Sequence, residues 1–424
     1  MKTLAEMFSE LPDEDLVCIT PEKQVTRREI LLEVLQLRES GAAMTDPIVS
    51  GIDIVSAIAR MIALDGFASA LYLVPADISD ALRADVRELA NGTMTLRPGA
   101  KTQWVIPTSG TSGTPKLVAH NLPSLIRNLK TNRSIGADLR WALLYDPCRF
   151  AGLQVTLQAC ISGSAILAQK STDIEEYVDF LCYNSCTSIS ATPSMWRKIL
   201  STASAQKLKL RHITLGGEIS DEKILQRLRL MFPEAKVTHI YASTEAGVGF
   251  SVKDGRAGFP SEYLKSAPGG KVELKISTHG ILQIRGQNFD QRYIGQPHGL
   301  TDKEGFIDTG DMVKLQGDRV FFLGRANGSI NVGGEKVMPE EVENVIRSCP
   351  GVRDVRAYSK PNPVLGSIVV ADIVAYNENN VVELKKKVKK ICHIQLEPVK
   401  RPAIIHIVDE IKLTGAGKMK RGNQ

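Results

Sequence analysis

Two hydrophobic rhythms alternate along the first two thirds of the chain: short unbroken apolar runs, and stretches in which apolar residues return every three or four positions. Their succession predicts strands and helices in turn. Thr26 and Glu29 are spaced as a capping box ahead of Ile30, Leu31, Val34 and Leu37, and Gly41 closes the helix that follows. The most apolar region, residues 52–74, carries Asp53, Arg60 and Asp65. It predicts a core helix over 53–65, stopped at Gly66, and a strand over 70–74, not a membrane span. Further strands are expected at 141–145, 164–168, 187–190, 211–215 and 236–241, separated by helices at 150–162, 173–183, 194–201 and 220–231.

Such alternation implies parallel sheets covered by helices, with ligands held at the carboxyl ends of strands. From about residue 271 to 322 the pattern changes to short strands rich in Gly and Asp, which predicts a smaller, mostly antiparallel subdomain. Past Gly324 and Arg325 come a helix at 339–348, strands at 352–358 and 367–375, a lysine-rich helix and a strand at 403–408, an α+β unit large enough to fold alone. The expected fold is therefore α/β. A large N-terminal domain over 1–324 combines helix-covered, mostly parallel sheets with a small β-rich subdomain, and a separate α+β C-terminal domain over 325–424 follows a hinge at 325–328.

At 424 residues, 43% hydrophobic and 24% charged, the chain has the makeup of a soluble globular protein of two or three domains. Acidic residues fall within the first fourteen and no apolar h-region accompanies them, so a cytoplasmic protein without a secretory signal is expected. Seven cysteines form no C-x-x-C, which suits reduced, buried thiols. Cys182 and Cys186 could share a helix face, but no His-rich cluster joins them to complete a metal site. The net charge of +6 mildly favours anionic ligands. The densest basic run, Lys385-Lys386-Lys387-Val388-Lys389-Lys390, lies where Val381, Leu384, Val388 and Ile391 keep helical spacing, so its lysines are read as a solvated face. A coenzyme phosphate or an acidic carrier protein would suit that charge, whereas the interleaved aromatics of a nucleic-acid site are absent.

The strongest chemical signal is Pro107-Thr108-Ser109-Gly110-Thr111-Ser112-Gly113-Thr114-Pro115-Lys116. Gly110 and Gly113 permit positive φ, so successive amides can turn inward on an anion, and the hydroxyls with the Lys116 ammonium complete a triphosphate cradle. The spacing is not that of a Walker loop.

This loop resembles the phosphate loop of the adenylate-forming superfamily, which contains acyl-CoA synthetases, peptide-synthetase adenylation domains and luciferases. The other core motifs of that family follow in order, so the resemblance runs from about Trp104 to Arg421. Tyr241-Ala242-Ser243-Thr244-Glu245 resembles its Tyr-Gly-Ser-Thr-Glu motif, which implies Glu245 as the magnesium carboxylate and Thr244 as a phosphate contact. Asp308-Thr309-Gly310-Asp311 resembles the Thr-Gly-Asp motif, implying that Asp311 accepts the ribose hydroxyls. Leu215-Gly216-Gly217-Glu218 fits the strand end that flanks adenine, with Tyr241 as a stacking face. The stretch from Gly324 to Val337 is similar to the hinge and coenzyme loop: Arg325 a second ribose contact, Gly328 the pivot, Gly333 and Gly334 lining the pantetheine tunnel. Lys412-Leu413-Thr414-Gly415-Ala416-Gly417-Lys418 resembles the terminal motif, whose lysine, here Lys418, bridges acyl carboxylate and α-phosphate.

The chemistry these motifs imply needs no general base, because a carboxylic acid of pKa about 4 is already ionised at neutral pH. It needs charge neutralisation, since two anions must meet. The resemblance further implies a C-terminal domain that closes with Lys418 inward for adenylation, then rotates to present Gly333 and Gly334 to a thiol.

Some positions depart from the family pattern. Ala242 replaces a glycine, Asn327-Gly328 an acidic pair and Ala416 a serine, and the segment ahead of the phosphate loop is short. Cys148-Arg149-Phe150-Ala151-Gly152 stands where the family often has an aromatic-His-x-x-Gly gate beside the acyl pocket. Phe150, Gly152, Ala242 and Gly247 are expected to line that pocket, and Arg149 either to pair with a polar or anionic substituent of the acid or to swing to solvent. The leading reading is an acyl-CoA synthetase using ATP, Mg2+ and coenzyme A on a small carboxylic acid, aromatic acids included. A second is a stand-alone ligase loading an acyl or aminoacyl group onto a carrier protein. A third, a non-catalytic adenylate-binding module, leaves Lys116, Glu245, Asp311 and Lys418 unexplained.

Overall fold

The computed structural model describes residues 2–41, 46–51, 53–93, 99–108, 116–268, 272–286, 292–294, 300–376 and 380–420. Its largest sheet has eight strands, in the order Gly247–Val252, Lys236–Ser243, His212–Gly216, Ser188–Ala191, Arg140–Ala142, Ala165–Leu167, Leu16–Ile19 and Gln24–Thr26. The six inner strands run parallel and each edge strand is antiparallel to its neighbour. A second sheet places the hairpin Gln103–Pro107 and Leu117–Asn121 beside parallel strands Ala70–Val74 and Ile48–Ser50. This hairpin carries the phosphate loop between its strands.

Local sequence accounts for the helices between them. Thr26 and Glu29 form both halves of the capping box on helix Arg27–Glu39. Asp53 caps Ile54–Leu64, in which every residue but Ser56 and Arg60 is buried. Helix Phe150–Ser162 ends at Gly163 with φ +77°, a left-handed cap that favours glycine. The helix faces of 54–64 and 150–162 share a core with Phe8 and Trp104. The expected strand at 141–145 is shorter: the ladder covers Arg140–Ala142, and the chain then turns at Asp146, whose carboxylate accepts the N–H groups of Ala76 and Cys148.

The subdomain after residue 258 is an antiparallel sheet of five strands, Phe259–Pro260, Arg319–Arg325, Ile307–Gln316, Ile281–Gly286 and Val272–Ile276. Beyond it lies the C-terminal domain, with helices Pro339–Ser348 and Val381–Gln395 on a sheet of Val352–Asn362, Gly366–Ala375 and Ile404–Ile407. Its core, including Val342, Ile346, Val355, Ile373 and Val388, is a separate hydrophobic cluster. The lysine-rich helix buries Leu384, Val388 and Cys392 and leaves Lys386, Lys387, Lys389 and Lys390 exposed, as its spacing predicts.

The two domains meet through charge. Arg347 approaches Asp221 at 3.4 Å, Arg197 reaches the same carboxylate at 2.5 Å, and Lys223 donates to the Arg347 carbonyl at 2.6 Å. Burial works to raise the pKa of Asp221, but the two guanidiniums hold it below the usual range. All seven cysteines are free thiols, and Cys182 and Cys186 donate to the carbonyls of Ser204 and Ser188. Among the described residues no three His, Cys, Asp or Glu side chains gather as a metal site, and no helix is long and apolar enough to cross a membrane.

Candidate active site

The site forms where the carboxyl ends of the large sheet, the phosphate-loop hairpin, the antiparallel subdomain and the chain terminus converge. Of the phosphate loop, Ser109, Gly110, Thr111, Ser112, Gly113 and Thr114 lie outside the described residues. Its ends are in place: Thr108 N–H donates to Lys116 O at 2.8 Å, and Lys116 N–H to Thr108 Oγ1 at 3.0 Å. The Lys116 ammonium stands 4.7 Å from the centroid of the Tyr293 ring.

Thr244 and Glu245 occupy the turn between antiparallel strands Lys236–Ser243 and Gly247–Val252, not the start of a helix. Gly247 makes the return possible with φ +68°. The Glu245 carboxylate faces the Tyr293 hydroxyl, and burial followed by this carboxylate pushes the Tyr293 pKa up to about 12. His120, on the strand leading out of the phosphate loop, donates from Nε2 to Thr244 O at 2.7 Å. Burial lowers its pKa to about 4, so it stays neutral and ties the hairpin that carries Lys116 to the turn at Thr244.

Asp311 and Arg325 face each other across the ladder of the antiparallel subdomain. Arg325 Nε lies 2.7 Å from Asp311 Oδ1, and the Tyr241 hydroxyl donates to Oδ2 at 2.6 Å. Burial raises the Asp311 pKa, against the opposing pull of Arg325 and Tyr241. Tyr241, expected as a stacking face for adenine, stacks instead on Phe250 at 5.3 Å and on Phe322 at 5.2 Å. Its hydroxyl, on Asp311, is what it presents to this cleft.

Lys418 arrives from the far end of the chain on a tight turn, in which Thr414 N–H donates to Lys418 O at 2.7 Å and Gly417 adopts φ +67°. Its Cε packs against Gly217, where a Cβ would stand 3.1 Å away. The residue keeps some solvent exposure, yet its ammonium is enclosed by protein. Desolvation first, and then Arg325, lower its pKa, while Glu218, Asp311 and Glu245 pull the other way. The structure thus gathers Lys418, Asp311, Arg325, Glu245 and Glu218 from four separate segments.

Other expected residues stand differently. Gly333 and Gly334, with φ +60° and +94°, form an exposed hairpin turn on their own domain, where Gly333 N–H donates to Leu365 O. Arg149 neither swings to solvent nor waits for a substrate group: it pairs with Asp77 and is only 15% exposed. That salt bridge, between residues far apart in sequence, has no signature in the local motif. Gly152 packs flush on the backbone of Asp146 and Pro147. Ala242 pairs with Val248 beside a bulge at Tyr241. Phe150 reaches within 3.9 Å of a Cβ placed on Gly247, and Arg127, which the motifs do not include, reaches within 3.5 Å of the same point. The Arg127 guanidinium donates to Ala246 O at 2.8 Å and Val248 O at 3.2 Å.

Sequence reasoning also passed over Thr192, Tyr293, His120 and Asp77. Thr192 had one available signal, a Thr-Pro step after a strand that marks a helix cap. The others become visible only when distant segments meet.

The model of the AMP-binding enzyme matches residues 70–280, and that of the AMP-binding enzyme C-terminal domain matches residues 341–418. The 2-succinylbenzoate–CoA ligase of Listeria monocytogenes is 26% identical over 75% of this chain and 68% of its own length. A mitochondrial acyl-coenzyme A synthetase of Mus musculus is also 26% identical, over 74% of this chain and 59% of its own length, so the match spans less than two thirds of that relative. The ATP-bound crystal structure of MatB from Rhodopseudomonas palustris shares the fold, with a TM-score of 0.76 at 17% identity over 98% of this chain and 96% of that one. Both domains, the order of their motifs and the convergence of those motifs on one cleft lead to the same conclusion: the chain belongs to the AMP-binding, adenylate-forming enzymes.

Proposed function

We propose that this chain is an AMP-forming acid–thiol ligase that activates a small carboxylic acid, an aromatic one among the candidates, and passes the acyl group to coenzyme A. The observation that carries the reading is Lys418. A cation from the C-terminal domain is enclosed beside Asp311, Glu245 and Glu218 of the N-terminal domain, which is where an anionic acid and a polyanionic nucleotide must meet. In so desolvated a position an ammonium attracts anions far more strongly than in water.

In this account Asp311 and Arg325 orient the ribose, Gly216, Gly217 and Glu218 border the base, and Lys116 with residues 108–114 holds the phosphates. Thr244 touches the α-phosphate. Glu245 fits a magnesium ion as a single hard carboxylate, which suits an ion shared with nucleotide oxygens. Such an ion would neutralise phosphate charge. Lys418 screens the repulsion as a carboxylate oxygen bonds to the α-phosphorus and the bond to pyrophosphate breaks. Phe150, Gly247, Ala242 and Arg127 border the space for the acyl group, and Arg149 stays tied to Asp77 at its rim.

Thiolysis, in which the sulfur bonds to the acyl carbon and AMP leaves, calls for the exposed Gly333-Gly334 turn to replace Lys418. We place the domain boundary at Gly324–Arg325 and the pivot at Gly328, within the short 3-10 turn Ala326–Gly328. Seven free thiols suit the cytoplasm. Screening a panel of carboxylic acids for ATP-dependent pyrophosphate release, with coenzyme A or a carrier protein as acceptor, tests the reading. Release with no acid on the panel would count against it, and transfer to the carrier alone would replace coenzyme A as the acceptor.

A further inference from the structure

A lysine carried on a separate domain must be placed within a fraction of an ångström to act on a phosphorus centre, and its own flexible side chain cannot supply that accuracy. The backbone on either side of Lys418 is gripped. The Thr192 hydroxyl donates to Gly417 O, and Met419 N–H donates to Glu218 Oε1 at 2.7 Å. Neither Thr192 nor Glu218 is loose. Thr192 Oγ1 also accepts Met195 N–H at 3.1 Å, and Glu218 Oε2 accepts Ser194 N–H at 2.9 Å, so both are fixed to the same first turn of helix Pro193–Ile199.

The fit around these bonds is close. A Cβ on Gly417 would lie 3.4 Å from the Tyr145 ring and 3.7 Å from Thr192, and a Cβ on Gly415 would overlap the Asp77 carboxylate. Thr192 is 1% exposed, so the bond to Gly417 O forms away from water, where a lost partner is felt most.

We propose that Thr192 and Glu218 are positioning residues for Lys418: a two-point receptor on the N-terminal domain that seats the lysine turn for adenylation and releases it for thiolysis. The inference rests on the adenylation role given to Lys418 above. It assigns Glu218 work beyond bordering the base, and it makes the closing contact specific to one half-reaction. Asp77 joins the receptor as a wall against Gly415, which also gives the Arg149–Asp77 pair a purpose outside the acyl pocket.

The test measures both half-reactions in Thr192→Val, Thr192→Ser and Glu218→Gln: acid-dependent pyrophosphate exchange, and thiolysis of supplied acyl-adenylate by coenzyme A. Thr192→Val should lower the exchange kcat roughly 10- to 100-fold, the cost of a displaced catalytic group, with the ATP KM moved less than about threefold. Thiolysis should stay within about twofold of the parent, and Thr192→Ser, which keeps the donor, should restore exchange. If Thr192→Val folds poorly, Glu218→Gln, with one acceptor oxygen for two N–H groups, should lower exchange by more than it lowers thiolysis, since its contact with the base serves both half-reactions but its grip on Met419 N–H serves only one. In a Lys418→Ala background, Thr192→Val should add nothing further to the loss of exchange, because a positioning residue acts only through the group it positions. Equal loss of both half-reactions, or an additive loss in that background, overturns the receptor. If Lys418→Ala alone lowers exchange selectively while Thr192→Val and Glu218→Gln leave it intact, the receptor falls and the ligase reading stands. If Lys418→Ala spares exchange, the ligase reading falls first.

Discussion

Two of the glycine turns of the C-terminal domain are in opposite circumstances. Gly417 is buried, its carbonyl held by Thr192, and the lysine beside it lies in the cleft. Gly333 and Gly334 are exposed and bonded only within their own domain, to Leu365 O and Asn331 Oδ1. Both turns depend on positive φ, so the sequence marks them alike. Under the proposed function, the buried turn is the adenylation turn, engaged, and the exposed one is the coenzyme turn, waiting. A residue's phenotype should therefore depend on whether it serves both positions, the present one, or the other.

Asp311 serves both, because the ribose it would hold persists from ATP to acyl-adenylate. Asp311→Ala should cost each half-reaction about 100-fold in kcat/KM, the order expected for losing a buried charged hydrogen-bond partner. An unchanged ATP KM would remove the ribose assignment. Gly333→Val belongs to the waiting position. A β-branched residue at φ +60° strains the turn by about 1–2 kcal/mol, so thiolysis should fall roughly 5- to 30-fold while pyrophosphate exchange holds. Loss of exchange instead would place this turn in the wrong half-reaction.

Arg347→Met loosens the docked position itself by withdrawing the C-terminal cation from Asp221, which keeps Arg197. Exchange should drop by roughly tenfold, with thiolysis equal or faster, and small-angle scattering of the free protein should show a larger radius of gyration. The smallest effect is on pH dependence. Because burial lowers the proton affinity of Lys418 below the ordinary 10.5, its charge is lost at lower pH than that of a free lysine. Exchange should therefore decline on the alkaline side before pH 10.5, and thiolysis should lack that limb.

Contiguous features were the ones legible in the sequence. Helix Phe150–Ser162 and strand Ala70–Val74 have the bounds that periodicity predicts, because their own apolar residues and punctuating glycines define them. Glu245, Asp311, Arg325 and Lys418 could be singled out because each sits in a short motif, and the fold brings them together. Arg149 was misplaced for the opposite reason. Its partner Asp77 lies 72 positions away, and a guanidinium reads the same in sequence whether a substrate or an aspartate neutralises it. Tyr241 is a similar case, since only the assembled sheet reveals Phe250 and Phe322 beside its ring. The receptor for the lysine turn was hidden altogether, because the bonds run from side chains to backbone atoms more than 200 residues away.

The central claim is that Lys418 supplies charge for adenylation and nothing for thiolysis. Measuring both half-reactions on purified Lys418→Ala tests it most directly. The account predicts acid-dependent pyrophosphate exchange reduced by about 100-fold or more, with thiolysis of supplied acyl-adenylate retained. Equal impairment of the two would contradict it.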